Sequence, residues 1–115
     1  MHRRLALGFS LSALAAALPG VAGAQSGTPF KIGLILPLTG PFASTGKQTG
    51  AGVRLYMQKN GDTVAGRQIE LIVKDDTGLA RETTKRIAQD LIVQEKVSII
   101  AGFGLTPLAL ATAPL

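Results

Sequence analysis

The stretch Lys31–Lys47, KIGLILPLTGPFASTGK, decides the fold. Its apolar run, Ile32-Gly33-Leu34-Ile35-Leu36, meets Pro37 and then a small-residue loop, Thr39-Gly40-Pro41-Phe42-Ala43-Ser44-Thr45-Gly46. An apolar run without alternation, bounded by a proline, reads as a strand buried on both faces inside a parallel sheet. The loop carries hydroxyls and glycines and leads into a helical stretch. In open α/β sheets ligands collect beyond the carboxyl ends of strands, where helices begin. This loop is therefore the first candidate site.

Working outward, the pattern predicts a helix from about Gly46 to Lys59, with Ser44 or Thr45 placed to cap its start. Ala51, Val53, Leu55, Tyr56 and Met57 form its apolar face, which puts Tyr56 in the core. Gly50 and Gly52 cost helix propensity and are expected to let the helix pack closely on the sheet. Asn60-Gly61-Asp62 stops the helix and Gly66 turns the chain. A second strand, Arg67 to Lys74, alternates Ile69, Leu71 and Val73 with polar residues, which suits the sheet edge. Asp75-Asp76-Thr77-Gly78 reads as a turn with solvated charge rather than as a metal or acid/base pair.

A second helix, from about Leu79 to Glu95, repeats Ala80, Thr84, Ile87, Ala88 and Leu91 at three- and four-residue steps. A third strand, Val97 to Ala101, runs into a second small-residue loop, Gly102-Phe103-Gly104-Leu105-Thr106-Pro107. Leu108 to Leu115 reads as the opening of a third helix, with Pro107 at its first position. The order β-α-β-α-β-α predicts an α/β fold, a partial doubly wound parallel sheet with right-handed crossovers. In the strand order 2-1-3, the loops 37–45 and 102–107 meet at the switch point where ligands bind.

Composition narrows the chemistry. Of 115 residues, the first 24 have the three zones of a secretory signal: a basic start at His2-Arg3-Arg4, an apolar core from Leu5 to Leu18, and small residues at Ala22-Gly23-Ala24. That core is shorter than the roughly 20 apolar residues needed to span a bilayer. Cleavage near Ala24 would start the mature chain at Gln25, and the paired arginines leave both general and twin-arginine export open. The chain has 12 Lys and Arg against seven Asp and Glu, and removing Arg3 and Arg4 leaves ten basic residues, interspersed with the acidic ones. No basic block or aromatic ladder accompanies them, so nucleic acid is not an expected partner. There is no cysteine, and the one histidine is His2. Disulfides, thiol catalysis and cysteine–metal sites are excluded, and the composition is that of a binder rather than an enzyme.

The segments IGLILPLTGPFASTGKQTGAGVRL, IELIVKDDTGLARETTKRIAQDLI and VSIIAGFGLTP, in this order behind an export signal, resemble the periplasmic solute-binding proteins of ABC transporters. The resemblance is to the branched-chain amino-acid (Leu/Ile/Val-binding) type and covers essentially the whole mature chain. It implies a type I periplasmic-binding-protein fold, of which residues 25–115 would form an incomplete N-terminal lobe. It also implies a periplasmic protein that binds an amino acid or similar small carboxylate and delivers it to permease subunits in the inner membrane, with no cofactor. In that family the loop after the first strand lies beside the ligand, which maps to Gly40, Pro41, Ser44 and Thr45. Well-known members have an aromatic residue where this chain has Thr45. The loop after the third strand offers amides and a hydroxyl to the ligand's carboxylate, which maps to Phe103, Gly104, Leu105 and Thr106. Amides and a hydroxyl at a helix start favour an anion.

Other readings compete. Thr106 can cap the third helix as well as hold a carboxylate. Phe103 can line the cleft, which is the expectation taken here, or plug the end of the sheet. Gly40 to Gln48 looks like a phosphate-binding loop, but it has five residues between its glycines where that motif has four, and Gln48 stands where a magnesium-binding hydroxyl belongs. Gly102-Phe103-Gly104 lacks the third glycine of a dinucleotide fingerprint. A ligand-sensing receptor domain on the same fold remains an alternative to the transporter subunit. For the 115-residue chain alone, the apolar outer edge of the third strand predicts poor solubility and no measurable ligand affinity.

Overall fold

A computed structural model describes residues 27–115. The expected signal and its cleavage site lie outside the described residues. Seven elements follow in order: β1 (Phe30–Leu36), α1 (Ala43–Asn60), β2 (Thr63–Val64), β3 (Arg67–Asp75), α2 (Arg81–Val93), β4 (Ile99–Gly102) and α3 (Thr106–Thr112). They build one sheet in the order β2-β3-β1-β4. Strand β1 pairs in parallel with both β3 and β4, so the expected central position of the first strand and the 2-1-3 order are both found.

The register places the functional ends. Leu36 pairs with Asp75, and Ile35 pairs with Gly102, so all three parallel strands end at the same rim. Successive side chains of β1 alternate between faces. Ile35 forms the core with Ala88 and Leu91 of α2, while Leu36 approaches Gly50 of α1. Helix α1 thus covers one face, and α2, packed with α3, covers the other. Gly33 seats α2: a Cβ there would come within 2.9 Å of Leu91 Cδ1. Leu91 is fully buried on this site, which is why a strand otherwise made of large residues has a glycine in its middle.

Four details differ from expectation. Strand β3 is not the edge, because the two-residue β2 pairs antiparallel with it through Val64 and Arg67. The connecting Ala65 and Gly66 both have positive φ, the geometry of a tight hairpin turn; alanine in the first of these places gave no turn signal. Helix α1 starts at Ala43, earlier than Gly46, and has no side-chain cap, so neither Ser44 nor Thr45 caps it. Tyr56 is 69% exposed rather than core; only Val53 and Met57 of the expected face are half-buried. Gly50 does pack on the sheet, whereas a Cβ on Gly52 would meet nothing within 4 Å.

Candidate ligand-binding site

Pro37 ends β1 and is fully buried. Three glycines from three separate segments close on it. A Cβ on Gly46, in the first turns of α1, would collide with the Pro37 carbonyl. One on Gly78, in the turn after β3, would lie 3.0 Å from Pro37 Cβ, and one on Gly104, in the loop after β4, would lie 2.6 Å from Pro37 Cγ. The proline ring therefore serves as a post around which the loops after β1, β3 and β4 gather. The expected meeting of loops 37–45 and 102–107 is realised here, through contacts that only glycine permits.

The first loop is held from the side of β3. Asp75 ends that strand half-buried, and its Oδ1 accepts the amides of Leu38 at 2.8 Å, Thr39 at 3.3 Å and Thr77 at 2.9 Å. Its Oδ2 accepts the Thr39 hydroxyl at 2.6 Å. Partial burial pushes the Asp75 carboxyl up, but the hydrogen bonds from the Thr39 hydroxyl and from the amides of Thr77, Leu38 and Thr39 outweigh it and hold the group below its ordinary value. Asp76 points the other way and is fully buried. Its Oδ1 accepts the Gly78 amide at 2.9 Å and its Oδ2 the Thr84 hydroxyl at 3.3 Å, fixing the turn to the first turns of α2. The reading of this pair as a turn holds, but the reading as solvated charge does not. Charge in a half-buried place is tolerated because donors surround it. Sequence reasoning missed Asp75 and Thr39, which lie 36 positions apart; the only local signal was an acidic residue at the rim end of a strand.

The expected ligand residues are distributed along this rim. Gly40 and Pro41 are exposed at the tip of the first loop. Gly40 has φ +77°, and its Cα sits over the Thr77 carbonyl, leaving 3.0 Å to a Cβ. Ser44 and Thr45 are exposed on the first turn of α1, where Ser44 Oγ accepts Gln48 Nε2 at 3.3 Å. In the second loop, Gly104 is exposed, Leu105 is half-buried and Thr106 is exposed as the first residue of α3. The cap position belongs to Leu105, with no side-chain cap bond, so Thr106 is not the helix cap. At the start of α3 the Leu108 and Ala109 amides donate to the Leu105 carbonyl and Pro107 has no amide hydrogen, so the first-turn donors at the rim are the amide and hydroxyl of Thr106. Phe103 departs from expectation. Its side chain packs against the Ile35, Ala88 and Leu91 cluster, so it plugs the sheet rather than lining the cleft, and its amide already donates to the Ile35 carbonyl at 2.7 Å.

Among the described residues no group of three or more His, Asp or Glu could hold a metal ion, and no described helix is long and apolar enough to cross a membrane. The rim exposes amides, hydroxyls and small side chains, and the Asp75 carboxylate is turned inward to the loop it holds.

Residues 29–115 match the family model described as periplasmic binding protein. The chain belongs to this family. A Leu/Ile/Val-binding protein homologue of Brucella abortus is 39% identical over 85 residues, which are 74% of this chain and 22% of that protein. The chain thus spans about a fifth of the length of the curated relatives that it matches. Among solved structures, a solute-binding protein of an ABC transporter from Rhodopseudomonas palustris BisB5, in complex with 3,4-dihydroxybenzoic acid, is 59% identical with a TM-score of 0.72, covering 75% of this chain and 23% of that one. A second from R. palustris, in complex with 4-hydroxybenzoate, is 36% identical with a TM-score of 0.72, covering 76% and 24%. A leucine-binding protein from Thermotoga maritima is 31% identical with a TM-score of 0.67, covering 73% and 23%. As a periplasmic binding protein, the chain has the three parallel strands in 2-1-3 order expected of a type I fold, edged by the short antiparallel β2.

Proposed function

We propose that this periplasmic binding protein is the substrate-binding component of an ABC importer, binding a small carboxylate without chemical change. The observation that carries the proposal is the gathering of the loops after β1 and β4 on Pro37. It brings the Thr106 amide and hydroxyl, at the start of α3, to the same rim as the hydroxyl-bearing first turn of α1. Gly40, Pro41, Ser44 and Thr45 line one side of the ligand, and Gly104, Leu105 and Thr106 receive its carboxylate; Phe103 supports that loop from below. The Thr106 hydroxyl supplies a donor beside the amides. The further partners are permease subunits in the inner membrane, reached after export to the periplasm and cleavage near Ala24.

Within the small carboxylates, the 59% identity to a protein holding 3,4-dihydroxybenzoic acid favours an aromatic acid over a branched-chain amino acid. Thr45, small and polar, suits a ligand that brings its own ring. The test is calorimetric titration of the full-length gene product with 3,4-dihydroxybenzoate, 4-hydroxybenzoate and leucine. Saturable binding of a benzoate supports the proposal. Binding of leucine alone would move the ligand class to amino acids, and binding of none would refute the reading.

A further inference from the structure

We infer that Asp75 is a positioning residue for ligand binding, acting through Thr39 to hold the Gly40–Pro41 tip in its binding geometry. The inference rests on the site proposed above and extends it to residues that touch no ligand. Among the described residues, the hydrogen bonds that loop 38–42 donates to an element distant in sequence all end on the Asp75 carboxylate: from the amides of Leu38 and Thr39 and from the Thr39 hydroxyl. The other bonds of the loop are local, from the Ala43 amide to the Gly40 carbonyl and from the Gly46 amide to the Phe42 carbonyl. These fold the tip onto α1 but do not set its height above the sheet.

The same carboxylate takes the Thr77 amide, so the tip is referenced to the turn after β3. Gly40 rests over the Thr77 carbonyl and Phe42 rests against Gly78, completing the seat. Without the carboxylate, the Leu38 and Thr39 amides and the Thr39 hydroxyl lose their common acceptor. The tip is then free to sample positions in which it does not meet the ligand, and affinity falls by the fraction of time it is misplaced. One carboxylate oxygen serves the amides and the other the hydroxyl. An Asn side chain keeps one acceptor oxygen but removes the charge, and hydrogen bonds to a neutral group are roughly half as strong.

The experiment uses the full-length gene product and its Thr39→Ser, Thr39→Val and Asp75→Asn variants. The readouts are affinity for 3,4-dihydroxybenzoate, 4-hydroxybenzoate and leucine, and amide hydrogen exchange of the peptide covering 38–42 in the ligand-free state. Loss of a hydrogen bond to a charged group predicts about tenfold weaker binding for Thr39→Val and Asp75→Asn. Exchange at 38–42 should quicken in both, while Thr39→Ser keeps affinity within about twofold because the hydroxyl is retained. Wild-type affinity in both Thr39→Val and Asp75→Asn would overturn the inference. So would equal losses in Thr39→Ser and Thr39→Val, which would make Thr39 a packing residue. If the wild type binds none of the three acids, the binding reading falls and this inference falls with it, an outcome distinct from either.

Discussion

Gly104 lies so close to Pro37 that a Cβ on it would come within 2.6 Å of the proline Cγ. Two loops 67 positions apart thereby share one surface, and their separation is set by the absence of a side chain. Gly104→Ala must push either the ring or the loop. Overpacking of this kind costs about 1–3 kcal/mol, and the displaced loop carries the proposed carboxylate donors. The expected result is a lower urea midpoint together with weaker ligand binding. Gly52→Ala is the control, since nothing lies within 4 Å of its Cβ position. Replacing an exposed mid-helix glycine should stabilise the protein by about 0.5–1 kcal/mol and leave affinity unchanged.

The buried pair Asp76 and Thr84 offers a second test. Both are fully buried, and the Thr84 hydroxyl donates to Asp76 Oδ2. Thr84→Val keeps the shape and leaves that oxygen without its donor. The expected destabilisation is about 1–3 kcal/mol, read as a shift of the urea midpoint with unchanged slope.

How much of this was legible follows from the range of the interactions. The run Ile32–Leu36 announced a central strand because burial on both faces leaves no alternation to hide it. The periodicity of Thr84, Ala88 and Leu91 announced the packed face of α2, and these are its buried residues. Tyr56 was misplaced because an apolar neighbour set shows amphipathicity but not how far the helix leans from the sheet; the close contact is at Gly46 and Gly50, at the other end of α1. The Asp75 network was illegible because its donors come from Leu38 and Thr39, which only the pairing of β1 with β3 brings near.

The core gives a contrast that checks the packing. Leu91 is fully buried over Gly33, and Leu91→Ala should cost about 2–5 kcal/mol. Tyr56→Ala, at an exposed position, should change stability by no more than about 0.5 kcal/mol. Thermal and urea unfolding of the two variants side by side would reveal a misassigned face at once.

Asp75 predicts a pH dependence with a defined sign. Its carboxyl is held below its ordinary value of 3.8 in the folded protein, so the folded state binds this proton less readily than the unfolded state. Its contribution to stability is present above 3.8 and is lost as the pH falls through the depressed folded value. The difference in urea midpoint between wild type and Asp75→Asn should be constant at neutral pH and shrink only in strong acid. A difference that vanishes already near neutrality would contradict the hydrogen-bonded carboxylate.

The most direct measurement is the affinity of the full-length gene product for 3,4-dihydroxybenzoate, with and without Gly104→Ala. The account predicts saturable binding by the wild type, and clear weakening when the loop after β4 is moved off Pro37. Binding that ignores the substitution, or no binding of any small carboxylate, would contradict a ligand site built where these loops meet.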